Sequence, residues 1–333
     1  LKLDPACLLV DVDVVLGAGS FGTVLGGTYT FPVHGATPVA IKVFQGTAGD
    51  RVGQNEARVL AELMASTRVS VHPYLVQMYG AVRVPKNGLC LVMERIAGQS
   101  LRVVLDATAE QLPWGLRIRW LHEVAQGLDA MHRHKPHPVL HRDLKASNVL
   151  LDSGDVAAAH AKIADFGVAR AIDELVVDTY SRGAMEWTAP ETLDGRVSFP
   201  SDVYSYGILI YEVLTRTMPF HNKSGAAKNK LMLMQRESAQ FEYSEDIFEY
   251  EGADRDTQLT RWARKREGTF VKRRPDLELL RKDSPAVLVT LMQECWRDDA
   301  SERPQFGTVV DRLGPHAHGG AIGADGGGGG GGG

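Results

Sequence analysis

Positions 141–151 read "HRDLKASNVLL". Asp143, Lys145 and Asn148 crowd three polar side chains into one short stretch, with apolar residues behind them. A core strand is poorly served by such residues. They suit a surface that holds a negatively charged group and accepts a proton. After a strand–turn–strand pattern comes "IADFGVAR", in which the Asp165 carboxylate precedes Gly167. Magnesium takes one or two carboxylates together with phosphate oxygens, so Asp165 is a candidate ligand for a metal held on a phosphate chain.

Nearer the start, "GAGSFGTV" spans 17–24. Gly17, Gly19 and Gly22 let backbone N–H groups approach a phosphate chain without Cβ obstruction. A dinucleotide-binding turn uses the same glycine spacing, but it opens a helix and has an acidic residue about 20 positions later. Here a strand follows, and near that distance stands Lys42 of "VAIK", a cation placed to meet phosphate oxygens. A lysine so aimed needs a carboxylate to orient it. Glu56 is the candidate, on a helical stretch where it shares a face with Leu60; Glu62 competes from a less suitable position.

Short alternating strands make up the first ninety or so residues. "VDVDVVLGAGSFGTVLGGTYT" reads as a hairpin with glycine turns, and "TPVAIKVFQ", "LVQMYGAVR" and "LCLVMERI" as further strands. "RVGQNEARVLAELMAST" interrupts them with helical spacing. From about Gly98 the pattern turns helical. "WGLRIRWLHEVAQGLDAMHRH" ends before a proline-rich stop. "SDVYSYGILIYEVLTRT" begins with a Ser cap at Ser201 and Asp202 in its first turn, and is apolar nearly all round, which predicts a buried helix. "SPAVLVTLMQECWRDDA" is another helix. Residues 221–270 form a long polar stretch with segregated charge, and the tail 314–333 is glycine-rich and expected to be disordered.

The chain has 333 residues, 44% hydrophobic and 23% charged, with a net charge of −4. This suits a globular protein of two lobes and argues against wholesale nucleic-acid or anionic-membrane binding. No apolar run approaches the roughly 18 residues of a membrane span, and no signal peptide is visible. Cys7, Cys90 and Cys295 lack metal-ligand spacing and read as reduced thiols in a cytoplasmic setting. His132, His134, His137 and His141 straddle a helix end and a proline-rich turn, so no metal site is expected of them. The start at Leu1 instead of Met suggests a piece of something longer.

The ordered set of Gly-rich loop, "VAIK", helix Glu, "HRDLKASN", "DFG" and "APE" resembles the eukaryotic protein kinase family over roughly residues 12–313. "HPVLHRDLKASNVLL" and "CWRDDASERPQF" resemble its tyrosine-kinase-like group, which includes Raf-type and mixed-lineage Ser/Thr kinases. The resemblance implies an α+β, bilobal protein kinase fold. A small antiparallel-sheet N-lobe with one helix would span 1–93. The hinge and a larger, mainly helical C-lobe would span 94–313. It implies ATP and Mg2+ as cofactors, a protein Ser/Thr hydroxyl as acceptor, and an upstream activating kinase as a partner; Lys145 disfavours tyrosine specificity.

In that family Asp143 would orient the hydroxyl and accept its proton, and Lys145 would neutralise the transferring phosphoryl group. Asn148 and Asp165 would hold Mg2+, Lys42 the α/β-phosphates, and Glu56 would lock Lys42. Adenine would lie between Val24 and Ala40 above and Leu150 below, against the connector "MERIAG" with Met93 as gatekeeper. Leu16, Glu94 and Ile96 complete the implied nucleotide contacts. Leu60, Met78, His141 and Phe166 would stack as a regulatory column based on Asp202, and Glu191 would pair with Arg303 as a structural bridge.

One departure stands out. Ala184 follows Gly183 where such kinases have a threonine that bonds the catalytic aspartate and lysine. Losing a hydrogen bond to charged partners costs on the order of 1.5–3 kcal/mol, about tenfold to a hundredfold in rate if it falls on the transition state. The alternative function is accordingly a catalytically weak pseudokinase acting as an ATP-binding scaffold. Thr179, Tyr180 and Ser181 lie in the activation segment, where a phosphate on Thr179 or Ser181 would find Arg142. The 221–270 stretch reads as a solvated insert, or alternatively as a docking element for a charged partner.

Overall fold

The computed structural model describes residues 2–19, 22–44, 71–84, 88–107, 112–136, 138–165, 170–171, 185–194, 197–220 and 274–317. Several expectations fall outside them: the helix with Glu56, Leu60 and Glu62, Phe166, residues 172–184, the 221–270 stretch, and the tail beyond Ala317.

Five antiparallel strands form the first sheet: β1 (Leu8–Gly19), β2 (Gly22–Phe31), β3 (Gly35–Val43), β4 (Met78–Val84) and β5 (Gly88–Glu94), in the order β1-β2-β3-β5-β4. Strand periodicity sorts their side chains. Val39 and Ile41 of β3 join Tyr29, Val82, Cys90 and Val92 in one apolar cluster. Ala40 and Lys42 alternate with them and face the other way. On that second face Ala81 and Leu91 pack with Met78 and Met93. Gly22 is required by close approach: with φ +140, a Cβ there would lie 2.1 Å from the Val43 carbonyl oxygen. Its role in the β1–β2 turn is thus internal to the sheet. At Gly17 nothing lies within 4 Å of such a Cβ.

The second part is helical among its described residues: α1 (Leu101–Ala107), α2 (Trp114–Arg133), α3 (Phe199–Thr215), α4 (Ala286–Cys295) and α5 (Phe306–Ala317). Two small antiparallel pairs accompany them, β6 (Val139–Leu140) with β9 (Arg170–Ala171), and β7 (Val149–Leu151) with β8 (Ala161–Ile163). Every residue of α3 from Ser201 to Leu214 is buried, as its nearly uniform apolarity predicts. Each large apolar side chain so buried contributes about 1.5–3 kcal/mol, so α3 is the central post of this core. Helix α5 packs along α2 and α4 along α3.

Three boundaries differ from expectation. The α3 cap is Ser198, not Ser201: Phe199 and Pro200 lie in the first turn, where proline's missing N–H is harmless, and Ser198 and Ser201 form a reciprocal capping box. Helix α4 stops at Cys295, and the following Asp299 caps a short turn at Ala300–Glu302 through the Ser301 N–H. Helix α5 continues through Gly314 and Pro315 to Ala317, so residues 314–317 are helical, against expectation. Phe306, Val309, Leu313 and Ala317 lie on one buried face, and that packing outweighs the local preference. No helix among the described residues is long and apolar enough to cross a membrane.

Candidate active site

The 141–148 loop leaves β6 with apolar and polar residues alternating. Leu144 and Ala146 are wholly buried in the helical core, and Asp143, itself only 4% exposed, and Lys145 alternate with them. Its entry is fixed by Asp202 of α3. One carboxylate oxygen accepts the His141 N–H at 2.9 Å and the other the Arg142 N–H at 2.9 Å. His132 of α2 reaches the first oxygen through Nε2 at 2.9 Å. Burial alone would raise the Asp202 carboxyl. The His132 bond, the His132 and His141 charges and the Arg142 N–H outweigh it and hold the group below the usual carboxylate range. Arg142 itself has φ +69, a conformation uncommon for non-glycine residues, stabilised here by its bond to Asp202.

Asp143 is reached from two sides. Lys145 Nζ lies 2.9 and 2.7 Å from its two carboxylate oxygens. Asn148 Nδ2 donates to the Asp143 carbonyl at 2.7 Å and to its carboxylate at 2.9 Å. The loop then joins the second acidic segment: the Ala164 N–H donates to the Asn148 carbonyl at 2.8 Å, and His141 Nε2 to the Ala164 carbonyl at 3.1 Å. Val149 pairs with Ile163 beside them. Asp165, at φ +64, thus stands next to Asn148, and its carboxylate meets Lys42 Nζ at 2.6 Å. Lys42 and Asp165 are 123 positions apart in sequence, so this contact ties the sheet to the helical part. The expected Lys42–Glu56 pairing lies outside the described residues.

Register assembles the nucleotide side. Val24 stands opposite Lys42, and Lys42 opposite Leu91; Gly26 stands opposite Ala40, and Ala40 opposite Met93. Directly opposed residues share a face, so Val24, Ala40, Lys42 and Met93 are gathered on one surface. Gly17 pairs with Val24, with Leu16 beside it, 41% exposed at the rim. The connector passes Ile96 and reaches Gly98, where a Cβ would lie 2.3 Å from the Leu151 carbonyl oxygen. That approach, with the Leu151 N–H donating to the Gln99 carbonyl at 2.9 Å, sets the connector against the strand bearing Leu150. Met78 pairs with Met93 and packs in the same small cluster, while Leu60 and Phe166 of the expected column lie outside the described residues.

A contact absent from the sequence reading is the Lys162–Glu94 ion pair at 2.6 Å. Glu94 also accepts the Gln77 N–H at 3.1 Å, and its own N–H donates to the Gln77 carbonyl at 2.8 Å. Its side chain is thus committed within the protein. A lysine set into the apolar run of β8 was the available signal. The expected bridge is present: Arg303 donates to Glu191 at 2.6 and 3.0 Å and to the Pro200 carbonyl at 2.9 Å. Burial works to raise the Glu191 carboxyl, and Arg303 outweighs it, so the group lies low.

A family model described as "Protein kinase domain" matches residues 10–312. "Mitogen-activated protein kinase kinase kinase 7" of Homo sapiens is 32% identical over 306 residues, covering 90% of this chain and 41% of that protein. "Mitogen-activated protein kinase kinase kinase 10" of Mus musculus is 27% identical over 322 residues, covering 91% of this chain and 28% of that protein. The chain spans less than half the length of these relatives. With the sheet, the helical part and the polar cleft between them in place, the chain belongs to the protein kinase family.

Proposed function

We propose that the chain transfers the γ-phosphoryl group of ATP to Ser or Thr hydroxyls of a protein substrate. The observation that carries this reading is the single cluster formed by Asp143 with Lys145 and Asn148, joined through Asn148 and Ala164 to the Asp165–Lys42 pair. In it Asp143 orients the acceptor hydroxyl and takes its proton, while Lys145 offsets charge on the moving phosphoryl group. Lys42 holds the α/β-phosphates, assisted by Glu56. Leu16, Val24, Ala40 and Leu150 enclose the adenine, with Met93 behind it and Glu94 and Ile96 offering backbone groups. Such a site works by positioning and charge neutralisation.

The donor set fits Mg2+. Asn148 commits its amide nitrogen to Asp143, which leaves a carbonyl-type oxygen, and Asp165 brings a carboxylate. These are the hard oxygen donors that Mg2+ takes alongside phosphate oxygens. Bound there, Mg2+ would neutralise phosphate charge.

The names of the relatives make a protein kinase the specific substrate class in this reading. Regulation through Thr179 or Ser181, phosphorylated by an upstream kinase and paired with Arg142, belongs to it too. So does a cytoplasmic location, supported by three cysteines that remain thiols, of which Cys90 and Cys295 are buried. The test is transfer of label from ATP to a generic protein substrate, comparing the chain with Asp143→Asn. Label on Ser or Thr that vanishes in the variant is expected. ATP binding without transfer by either protein would overturn the enzyme reading in favour of the scaffold, and would make Ala184 decisive.

A further inference from the structure

Helix α3 is apolar almost throughout, yet it buries two carboxylates. Asp202 is accounted for by the entry to the catalytic loop. Glu212, with no exposed surface, lies toward the other end of the helix. One of its oxygens accepts the Ala146 N–H at 3.0 Å and the Trp187 indole N–H at 2.7 Å. The other accepts from Arg102 Nη1 at 3.2 Å. Arg102 also donates to Asp106 and to the Arg216 carbonyl. One buried carboxylate therefore joins α1, the end of α3, the turn at Met185–Trp187 and the catalytic loop. Its signal in sequence is a lone acid among the apolar residues of "GILIYEVL".

The Ala146 contact gives this junction a consequence for the reaction. Ala146 opens the turn Ala146–Asn148 and lies between Lys145 and Asn148, the two residues whose side chains hold Asp143. We propose that Glu212 is a positioning residue of the phosphoryl-transfer centre. It fixes the far half of the catalytic loop through the Ala146 N–H, as Asp202 fixes the near half through His141 and Arg142. The inference rests on the kinase reading above. Without the carboxylate, the turn loses its tie to α3 and Lys145 no longer meets Asp143 in one geometry, whereas Asn148 stays tied to the Ala164 N–H. ATP, bound mainly by the sheet and connector, is held as before.

The test uses Glu212→Gln, which keeps the volume and removes the charge and one acceptor oxygen, below the melting temperature of both proteins. The kcat falls about tenfold while KM for ATP stays within about twofold. Arg102→Met is the control: it loosens the same junction but leaves the Ala146 bond, so it lowers Tm and retains kcat. Unchanged kcat in Glu212→Gln, or an equal loss in Arg102→Met, would overturn the proposal. Should Glu212→Gln fail to fold, hydrogen exchange of the unaltered chain decides. The Ala146 amide is expected to be protected like the core amides of α3, and exchange at an open-loop rate would overturn the inference. Absence of transfer by the unaltered chain would sink the kinase reading and leave the exchange result to judge Glu212 alone.

Discussion

Asp202 and Glu212 are buried on the same helix and hold the same loop, yet their carboxyl groups shift in opposite directions. Asp202 is held low. Glu212 is pushed up by burial, which its bonds to Ala146, Trp187 and Arg102 only partly offset. Position on the helix points the same way. Asp202 lies in the first turn, where the free N–H groups of a helix favour an anion, and Glu212 in the last, where the carbonyls disfavour one. The partners differ as well. Asp202 receives two loop N–H groups and His132, whereas the cation nearest Glu212 is shared with Asp106 and the Arg216 carbonyl. Equal burial therefore gives unequal anchors, and the donors present decide which is strong.

The largest break in this comparison is Asp202→Ala. Two loop N–H groups and His132 lose their acceptor, and removing one partner from such a buried group costs about 3–5 kcal/mol. Urea unfolding should show that loss, and transfer should fall with it. A smaller effect is expected of Trp187→Phe, which removes one donor from Glu212 and leaves the Ala146 and Arg102 bonds. A hydrogen bond to a charged acceptor contributes about 1.5 kcal/mol at the low end, so a modest fall in the urea midpoint is expected.

The subtlest difference is one of sign. Because the folded Asp202 carboxyl is depressed, its contribution is fully present above the unfolded value of about 3.9 and is lost as pH falls through the folded value. Glu212 is raised, so its protonated form is favoured in the fold. Its contribution grows as pH falls through the folded value toward the unfolded one. Urea unfolding across acidic pH should therefore become less acid-sensitive in Asp202→Asn. It should become more acid-sensitive in Glu212→Gln. Matching slopes in the two variants would contradict the comparison.

Much of this was legible in the sequence because it is local. The strands around "VAIK" follow from period-two alternation, and α3 from its uniform apolarity; Asp143, Lys145 and Asn148 announce themselves by polarity beside buried neighbours. What escaped depends on distant partners. Ser198 escapes because Ser201, followed by Asp202, fits a cap equally well in sequence, and only the fold shows that the first turn takes in Pro200. Gly314 reads as the start of a glycine-rich tail until the burial of Leu313 and Ala317 is known. Lys162–Glu94 and the Glu212 junction join residues 68 and 66 positions apart with no shared pattern.

A last consequence concerns where this protein divides. The stretch before β4 does not associate with its sheet alone. Val76 N–H donates to the Ile163 carbonyl at 2.9 Å, Ile163 N–H to the Tyr74 carbonyl at 2.9 Å, and Leu75 packs in the large helical core. Residues 74–76 are thus stitched to β8, although the chain does not enter the helical part until after residue 93. Severing the polypeptide between 93 and 94 would leave two fragments still sewn together by that seam. Mixing the separately produced halves should recover a complex, with Leu75 as its plug.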